Sequence, residues 1–203
     1  MSTVRSAVKI DRDERAPPRE RILAVAADLF YRNGIRGVGV EAIAEAAGTN
    51  KMTLYRHFDS KDDLVAEYLR RLASQANSAW DRRATRFPDD PRAQLRAWLT
   101  EMVEHIGATD DRGCALANAA VELPEPGHPA RRVVEEFKTA QRERLIALCA
   151  AAGLNEPDML ADELFLLLEG ARVTAQCMGR ERLGDRLVRM GETMISAHEP
   201  KKR

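Results

Sequence analysis

Residues 48–58 read Gly48-Thr49-Asn50-Lys51-Met52-Thr53-Leu54-Tyr55-Arg56-His57-Phe58, and the interpretation of the chain begins from this segment. Asn50 is a typical helix N-cap, because its amide oxygen accepts a backbone N–H that has no partner inside the helix. Gly48 lies where a preceding helix must end, and glycine adopts the left-handed backbone that such a turn requires. The segment therefore predicts a tight turn followed by a short helix.

Another short helix is predicted just before this turn. Its apolar positions repeat with the helical period at Val40, Ile43, Ala44 and Ala47. Two short helices joined by a glycine turn form a helix-turn-helix, whose second helix lies in the DNA major groove. In that second helix Leu54 and Phe58 are four residues apart, so we expect both to point inward.

The outward side of the second helix carries groups that suit DNA. Hydroxyl groups donate to phosphate oxygens, a lysine reaches guanine O6 and N7, and a methionine contacts a thymine methyl. A lysine in the first turn of the next helix lies where free N–H groups attract phosphate. The side chains expected to face DNA are Lys51, Met52, Thr53, Tyr55, His57 and Lys61. The alternative is that they are ordinary solvated residues of a helix.

Composition excludes several classes of protein. The 203 residues are 44% apolar and 32% charged, which excludes a disordered chain and a membrane protein. No run of about 18 apolar residues and no signal peptide occurs, so we expect a cytoplasmic protein. No catalytic motif is present, and the four histidines are scattered, so we expect no enzyme, no metal and no cofactor.

Charge is distributed unevenly although the formal net charge is zero. In residues 1–61 the 11 lysines and arginines exceed the 8 acidic residues by three. DNA binding would therefore rest on a few placed contacts, and a dimer would double the cationic face. Residues 1–18 are predicted to be a disordered arm, with added phosphate contacts as the alternative.

The apolar spacing predicts an all-α chain of about nine helices. We expect a helix-turn-helix DNA-binding domain of three helices over 19–64 and a helical bundle for ligand binding and dimerisation over 65–203. The helices of the bundle are predicted after Ser60, from Pro91 to about 108, and over about 114–123, 130–152, 157–178 and 183–197.

The motifs resemble the N-terminal domain of the tetracycline-repressor (TetR) family over about residues 19–70. They are Ile43-Ala44-Glu45-Ala46-Ala47-Gly48, then 51–58 as quoted, then Ser60-Lys61 and Leu64. The resemblance implies a homodimeric repressor that releases its operator when a small molecule enters the C-terminal domain. It aligns the six residues named above with DNA-contacting positions. Glu41 aligns with a base-reading position, where it would accept from a cytosine N4 amine or stabilise the helix dipole.

Ligand-binding residues are sought in the bundle, where apolar cavities between helices commonly hold ligands. The apolar candidates are Trp98, Met102, Phe137, Phe165 and Leu168, and the polar candidates are His105, Asn118, Glu122, Glu169 and Arg172. The aromatic side chains would otherwise form ordinary core. Glu169 and Arg172, three residues apart, would otherwise pair on the surface.

The dimer interface is predicted on the last two helices. Ala171, Ala175 and Gly179 form a stripe of small residues that would let a partner helix approach closely. Leu187, Met190 and Met194 continue this interface on the final helix. The alternative is that both helices only complete the core of one chain.

Two functions remain after this reading. The first is a ligand-responsive transcriptional repressor that binds a palindromic operator as a dimer. The second is a helical DNA-binding regulator without ligand control, which acts by recruiting another protein. The three cysteines (Cys114, Cys149 and Cys177) are expected to be buried small apolar residues, with a redox sensor as the alternative.

Overall fold

A computed structural model of the chain describes residues 16–107, 112–181 and 183–201. These residues form nine helices and no strand, which confirms the predicted all-α class. The predicted arm over 1–18 lies almost entirely outside the described residues. The helices are α1 Pro18–Asn33, α2 Val40–Ala46, α3 Lys51–His57, α4 Lys61–Arg86, α5 Pro91–Gly107, α6 Ala115–Glu122, α7 Pro129–Ala151, α8 Pro157–Met178 and α9 Leu183–Ala197.

The turn between α2 and α3 has the predicted geometry. Gly48 adopts a φ of 61°, in the left-handed region. The Asn50 side chain accepts a hydrogen bond from the Thr53 backbone N–H at 2.9 Å, which fixes the start of α3. The local sequence signals therefore determine where both short helices end and begin.

The described residues form two compact units. The head unit contains 16–75 and 114–137, and the body unit contains 76–107, 112–113, 138–181 and 183–201. Two long helices, α4 and α7, contribute residues to both units. This grouping differs from the predicted division after residue 64, because α6 and the start of α7 belong to the head. The predicted domain boundaries stay a prediction about function.

The core of the head unit joins the helix-turn-helix to α6 and α7. Ile22, Ile43 and Leu54 from α1, α2 and α3 are fully buried. The same apolar cluster includes Ala119 and Ala130, together with the less completely buried Leu116, Leu123, Val133 and Val134. Each large aliphatic side chain buried in this way contributes about 1.5–3 kcal/mol. The packing of α2 and α3 therefore depends on residues more than fifty positions further along the chain.

The core of the body unit is formed by α5, α8 and α9 and the second part of α7. Leu99, Leu145 and Leu164 are at most 1% exposed within it. A Cβ on Gly191 would lie 2.6 Å from Leu99 Cδ2, so the close approach of α9 to α5 requires glycine at this position. Tight helix packing here leaves the outer faces of α8 and α9 exposed.

Candidate DNA interface and effector region

The exposed face of α3 carries most of the side chains predicted to contact DNA. Leu54 and Phe58 are 0% and 5% exposed in the head core, which confirms their inward orientation. The opposite side leaves Met52 69% and Tyr55 40% exposed. Exposed apolar surface on an otherwise polar helix typically marks an interaction site. This face of α3 therefore offers an apolar contact and a hydroxyl group to a partner.

Polar groups surround this apolar contact. Lys51, Arg56 and His57 are exposed on α3, whereas Thr53 is half-buried. Arg56 and His57 lie in the last turn of α3, where the negative end of the helix dipole stabilises the charge of the arginine. Arg56 was not among the predicted contacts, although its position at the exposed end of α3 was readable from the sequence.

An ion pair joins the first turn of α2 to the first turn of α3. The Lys51 Nζ donates to Glu41 Oε1 at 2.6 Å, and the Lys51 Nζ lies 6.0 Å from the centre of the Tyr55 ring. The hydrogen bond lowers the pKa of Glu41 and raises the pKa of Lys51, so both groups are charged at neutral pH. The sequence did not predict that Glu41 pairs with Lys51, because ten positions and a turn separate the two residues.

Lys61 occupies the first turn of α4, next to a confirmed helix cap. The Ser60 Oγ accepts from the Asp63 backbone N–H at 3.0 Å and donates to Asp63 Oδ2 at 2.9 Å. The Lys61 side chain is half-buried, with its Nζ 6.0 Å from the centre of the Phe30 ring. Lys61 is therefore the first residue of a helix whose free N–H groups would attract a phosphate.

Glu122 of α6 binds the connector between α1 and α2. Its Oε2 accepts the Ile35 backbone N–H at 2.6 Å and the Arg36 backbone N–H at 3.1 Å. The Arg36 side chain in turn donates to Glu125 Oε1 at 2.8 Å. Glu122 was predicted to face a ligand, but this oxygen is already engaged by two backbone donors. The carboxylate instead fixes the segment that leads into α2.

The ten predicted ligand-binding residues fall into different units. Trp98, Met102, His105, Phe165, Glu169 and Arg172 belong to the body unit, with the apolar Leu168 buried beside them. Asn118, Glu122 and Phe137 belong to the head unit, where Phe137 packs against the apolar core. The candidates that the fold groups together are therefore those of α5 and α8.

Trp98 packs inside a cluster of aromatic and polar side chains. Its ring stacks on Trp80 with 6.2 Å between centroids, and it is 4% exposed. The Trp80 Nε1 donates to Gln141 Oε1 at 2.5 Å. The guanidinium of Arg83 lies 4.6 Å from the Trp80 ring and pairs with Glu101. Trp98 therefore has the surroundings of a core residue.

Arg172 lies among partners that do not satisfy its guanidinium. Its side chain is 12% exposed, and its buried Nε has no hydrogen-bond partner. Glu169 Oε1 lies 3.9 Å away and instead accepts from Lys138 Nζ at 2.7 Å. The remaining contact joins an Arg172 nitrogen to the Met102 sulfur at 3.8 Å, and thioether sulfur is a weak acceptor. A buried guanidinium with an unsatisfied donor is costly in an otherwise well-packed unit.

The predicted dimer stripe lies on the inner face of α8. Ala171 and Ala175 are 5% and 6% exposed, and both pack in the core of the body unit, as does Leu187 of α9. Met194 packs against the same core, whereas Gly179 and Met190 are exposed. The two alanines continue the buried stripe begun by leucines one and two turns earlier, which is why their own chain already covers them.

The outer face of α8 exposes large apolar side chains instead. Met159, Leu166 and Val173 are 53%, 75% and 62% exposed and recur every seven residues. Met178 at the end of α8 is 84% exposed, and Met190 of α9 is 48% exposed. The apolar surface of α8 that no described residue covers is therefore on the face opposite to the buried Ala171 and Ala175. Of these exposed residues, Met159, Leu166 and Val173 share one face of α8, and we call them the outer stripe.

The cysteines occupy three different environments. Cys149 is buried in the body core, and burial raises the pKa of its thiol to about 11. Cys114 is half-buried and Cys177 is exposed, so the expectation of three buried cysteines is wrong for Cys177. Among the described residues, no group of histidine, cysteine and acidic side chains is placed to hold a metal ion. No helix in the same residues is long and apolar enough to cross a bilayer.

Two family models match the chain. The model of bacterial regulatory proteins of the tetR family matches residues 22–68, and the model of the SbtR-like transcriptional regulator C-terminal domain matches residues 90–191. The repressor DhaR of a Mycobacterium species is 24% identical over 91% of this chain and 96% of its own length.

Solved structures have the same fold. A TetR-family transcriptional regulator from Streptomyces coelicolor superposes with a TM-score of 0.85 at 28% identity, over 90% of this chain and 96% of the other. A TetR-type regulator from Streptomyces avermitilis gives a TM-score of 0.78 at 32% identity, over 90% and 98% of the two chains. Sequence and fold therefore lead to one family.

Proposed function

Because the chain belongs to the TetR family of bacterial transcriptional regulators, we propose that it is a dimeric repressor whose release from a palindromic operator is controlled by a small molecule. The observation that carries the proposal is the exposed face of α3, with a methionine and a tyrosine turned outward over two buried side chains. The relative DhaR is named a transcriptional repressor, which supports negative regulation of transcription.

DNA binding requires two copies of α3 in register with the double helix. Successive major grooves on one face of B-form DNA are about 34–36 Å apart, so a dimer presents α3 twice at this spacing. Within each half-site, Lys51 and Met52 contact base edges. The residues that we assign to the DNA backbone are Thr53, Tyr55, His57 and Lys61. Base contacts set the sequence preference, and phosphate contacts set the overall affinity.

The outer stripe is the proposed dimer interface. Seven-residue spacing of apolar side chains is typical of helices that pair lengthwise. The side chains of the outer stripe are not covered by any described residue and suit a symmetric contact between two copies. This proposal places the dimer interface on the outer face of α8, whereas the sequence favoured the face of Ala171 and Ala175.

The environment of Arg172 supports ligand control. Arg172 and Lys138 are cations, and among the described residues Glu169 is the single acid paired with them, so these three groups carry one excess positive charge. A ligand with an anionic group would pair with the free guanidinium donor and remove the cost of leaving it unsatisfied. We therefore propose an effector that combines an apolar part, for Met102 and Phe165, with a carboxylate or another anion.

Release from DNA then follows from a shift between two states. A ligand that binds more tightly to the state with the wrong α3 spacing shifts the population away from DNA. Helix α4 is the proposed lever, because it begins at Lys61 and continues without interruption into the body unit. Glu122 of α6 keeps the connector before α2 in place during this change.

The first experiment tests dimerisation and DNA binding. Size-exclusion chromatography with light scattering should give a dimer for the wild type and a monomer for Leu166→Glu. The matched control is Val121→Glu, because Val121 is an 82% exposed apolar residue of the head unit. Gel-shift titration with the duplexes that the wild type selects should show weaker binding for Leu166→Glu and for Lys61→Ala. Unchanged affinity in both variants would contradict the proposal.

The second experiment tests ligand control with two probes of equal chain length, octanoate and octanol. Octanoate should displace the protein from its selected duplex at a lower concentration than octanol, and Arg172→Met should remove this difference without changing DNA affinity. DNA binding that neither probe alters would favour the second function, a regulator that recruits another protein. Arg144→Met serves as the control, because Arg144 is an exposed cation of α7.

A further inference from the structure

We infer that Glu41 and Lys51 act as one recognition unit that reads a single G·C base pair in each half-site. In this arrangement the lysine ammonium donates to guanine O6 and N7, and the glutamate carboxylate accepts from the cytosine N4 amine. The inference rests on the proposed DNA binding of α2 and α3 and specifies which base pair they select.

The geometry of the pair matches the edge of one base pair. The Lys51 nitrogen and the Glu41 oxygen are 2.6 Å apart, on the first turns of two helices that meet at the turn. Guanine O6 and cytosine N4 are themselves hydrogen-bonded partners, separated by about 2.9 Å. A donor and an acceptor held side by side on the protein therefore fit an acceptor and a donor held side by side on the DNA.

Phosphate is a poor partner for this pair. A phosphate offers acceptors only and carries a negative charge, so the carboxylate of Glu41 would be repelled by it. The side chains of Lys51 and Glu41 are 52% and 67% exposed, so both are accessible to a base edge without rearrangement of the core. The pair therefore suits a base edge, where donors and acceptors alternate.

Among base pairs, G·C fits better than A·T. In the major groove G·C presents two neighbouring acceptors followed by a donor, which matches a cation that bridges two acceptors beside a carboxylate. A·T presents its donor between two acceptors and adds a thymine methyl group. Against A·T the lysine would lose one of its two acceptors, and the carboxylate would lie near an apolar methyl.

The pair also separates specificity from general affinity. Because its formal charge is zero, it contributes little to the salt-dependent attraction that supports non-specific binding. Removing Glu41 alone frees a cation, which should strengthen binding to every duplex while weakening discrimination. Removing both residues keeps the net charge and should leave non-specific affinity close to that of the wild type.

The experiment selects duplexes from a library with a randomised central segment, using the full chain. Wild type, Glu41→Ala, Lys51→Ala and the double variant are compared. Glu45→Ala is the matched control, because Glu45 is an exposed acid on the same helix without a described ion pair. Affinities are then measured for the wild-type consensus and for consensus duplexes with single base-pair changes.

The expected result is a loss of discrimination at the same G·C pair in each half-site for both single variants. A good bidentate contact discriminates by about 1–3 kcal/mol, which is about five- to 150-fold in Kd. The double variant should lose no more discrimination at that pair than either single variant, because the two side chains act on one base pair. Glu45→Ala should keep the wild-type preference.

Three results would overturn the inference. The single variants could relax different base pairs, the shared base pair could be A·T, or Glu41→Ala could strengthen binding to all duplexes while keeping every base preference. If the wild type selects no sequence at all, the proposed function fails as well. Selection of a palindrome that ignores Glu41 and Lys51 would overturn only this inference.

Discussion

Removal of the Glu122 carboxylate should loosen the segment that leads into α2. In Glu122→Ala the backbone N–H groups of Ile35 and Arg36 lose the oxygen to which they donate at 2.6 and 3.1 Å. In buried surroundings, loss of a hydrogen bond to a charged group lowers the free energy of unfolding by about 1.5–3 kcal/mol. Ile35 is 5% exposed, whereas the Arg36 bond is exposed and contributes much less. We therefore expect a loss of about 2–3 kcal/mol in the free energy of unfolding.

Two control variants separate this bond from general effects of charge. Glu122→Gln keeps an acceptor oxygen, so it should lose only about 1 kcal/mol. Glu125→Ala removes the carboxylate that pairs with Arg36, where both side chains are about 60% exposed. Exposed ion pairs contribute about 0–1 kcal/mol, so this variant should unfold almost as the wild type does.

Urea unfolding measures the stability loss, and hydrogen exchange locates it. In Glu122→Ala the Ile35 amide should exchange about 30-fold faster for a local loss of about 2 kcal/mol. DNA affinity should fall in the same order as stability, because the connector positions α2. Equal effects of Glu122→Ala and Glu125→Ala, or an Ile35 amide that keeps its protection, would refute the argument.

Three further outcomes follow from single contacts. Tyr55→Phe, which removes one hydroxyl from the exposed face of α3, should weaken binding to all duplexes by a similar factor in gel-shift titrations; a change in preferred sequence would contradict a phosphate contact. At pH 7 a thiol reagent should modify Cys177 quickly and leave Cys149 intact in mass spectra, because the pKa of the buried thiol is raised to about 11. Glu101→Ala should cost about 3 kcal/mol in urea unfolding, at the lower end for a broken buried pair because Glu101 is 36% exposed, since it leaves the 3% exposed Arg83 guanidinium without its ion-pair partner; a loss below about 1 kcal/mol would contradict this.

Local signals in the sequence were sufficient for the helices and their ends. Asn50, Gly48 and Ser60 act within three or four residues of their own positions, so their roles are readable from a short window. The inward orientation of Leu54 and Phe58 follows from helical spacing alone. For this reason the nine helices and the position of α3 were predicted from the sequence.

Contacts between residues far apart in the sequence could not be predicted from such short windows. The bond from Ile35 to Glu122 spans 87 positions, and no local pattern distinguishes a glutamate that binds a backbone from one that faces a ligand. The burial of Ala171 and Ala175 within their own chain was missed for a different reason. Small residues were treated as a separate stripe, although Ala171 and Ala175 continue the buried line of Leu164 and Leu168.

The position of α6 has a consequence for protein engineering. Regulators that respond to new ligands are built by joining the DNA-binding helices of one protein to the ligand-binding part of another. A junction inside α4 is the obvious choice. Here such a junction would separate Ile22 and Leu54 from Leu116, Ala119 and Val133, which lie in the same apolar cluster. A working hybrid must take residues 114–137 from the same protein that supplies α1, α2 and α3. The exchangeable part is therefore two separate pieces of sequence.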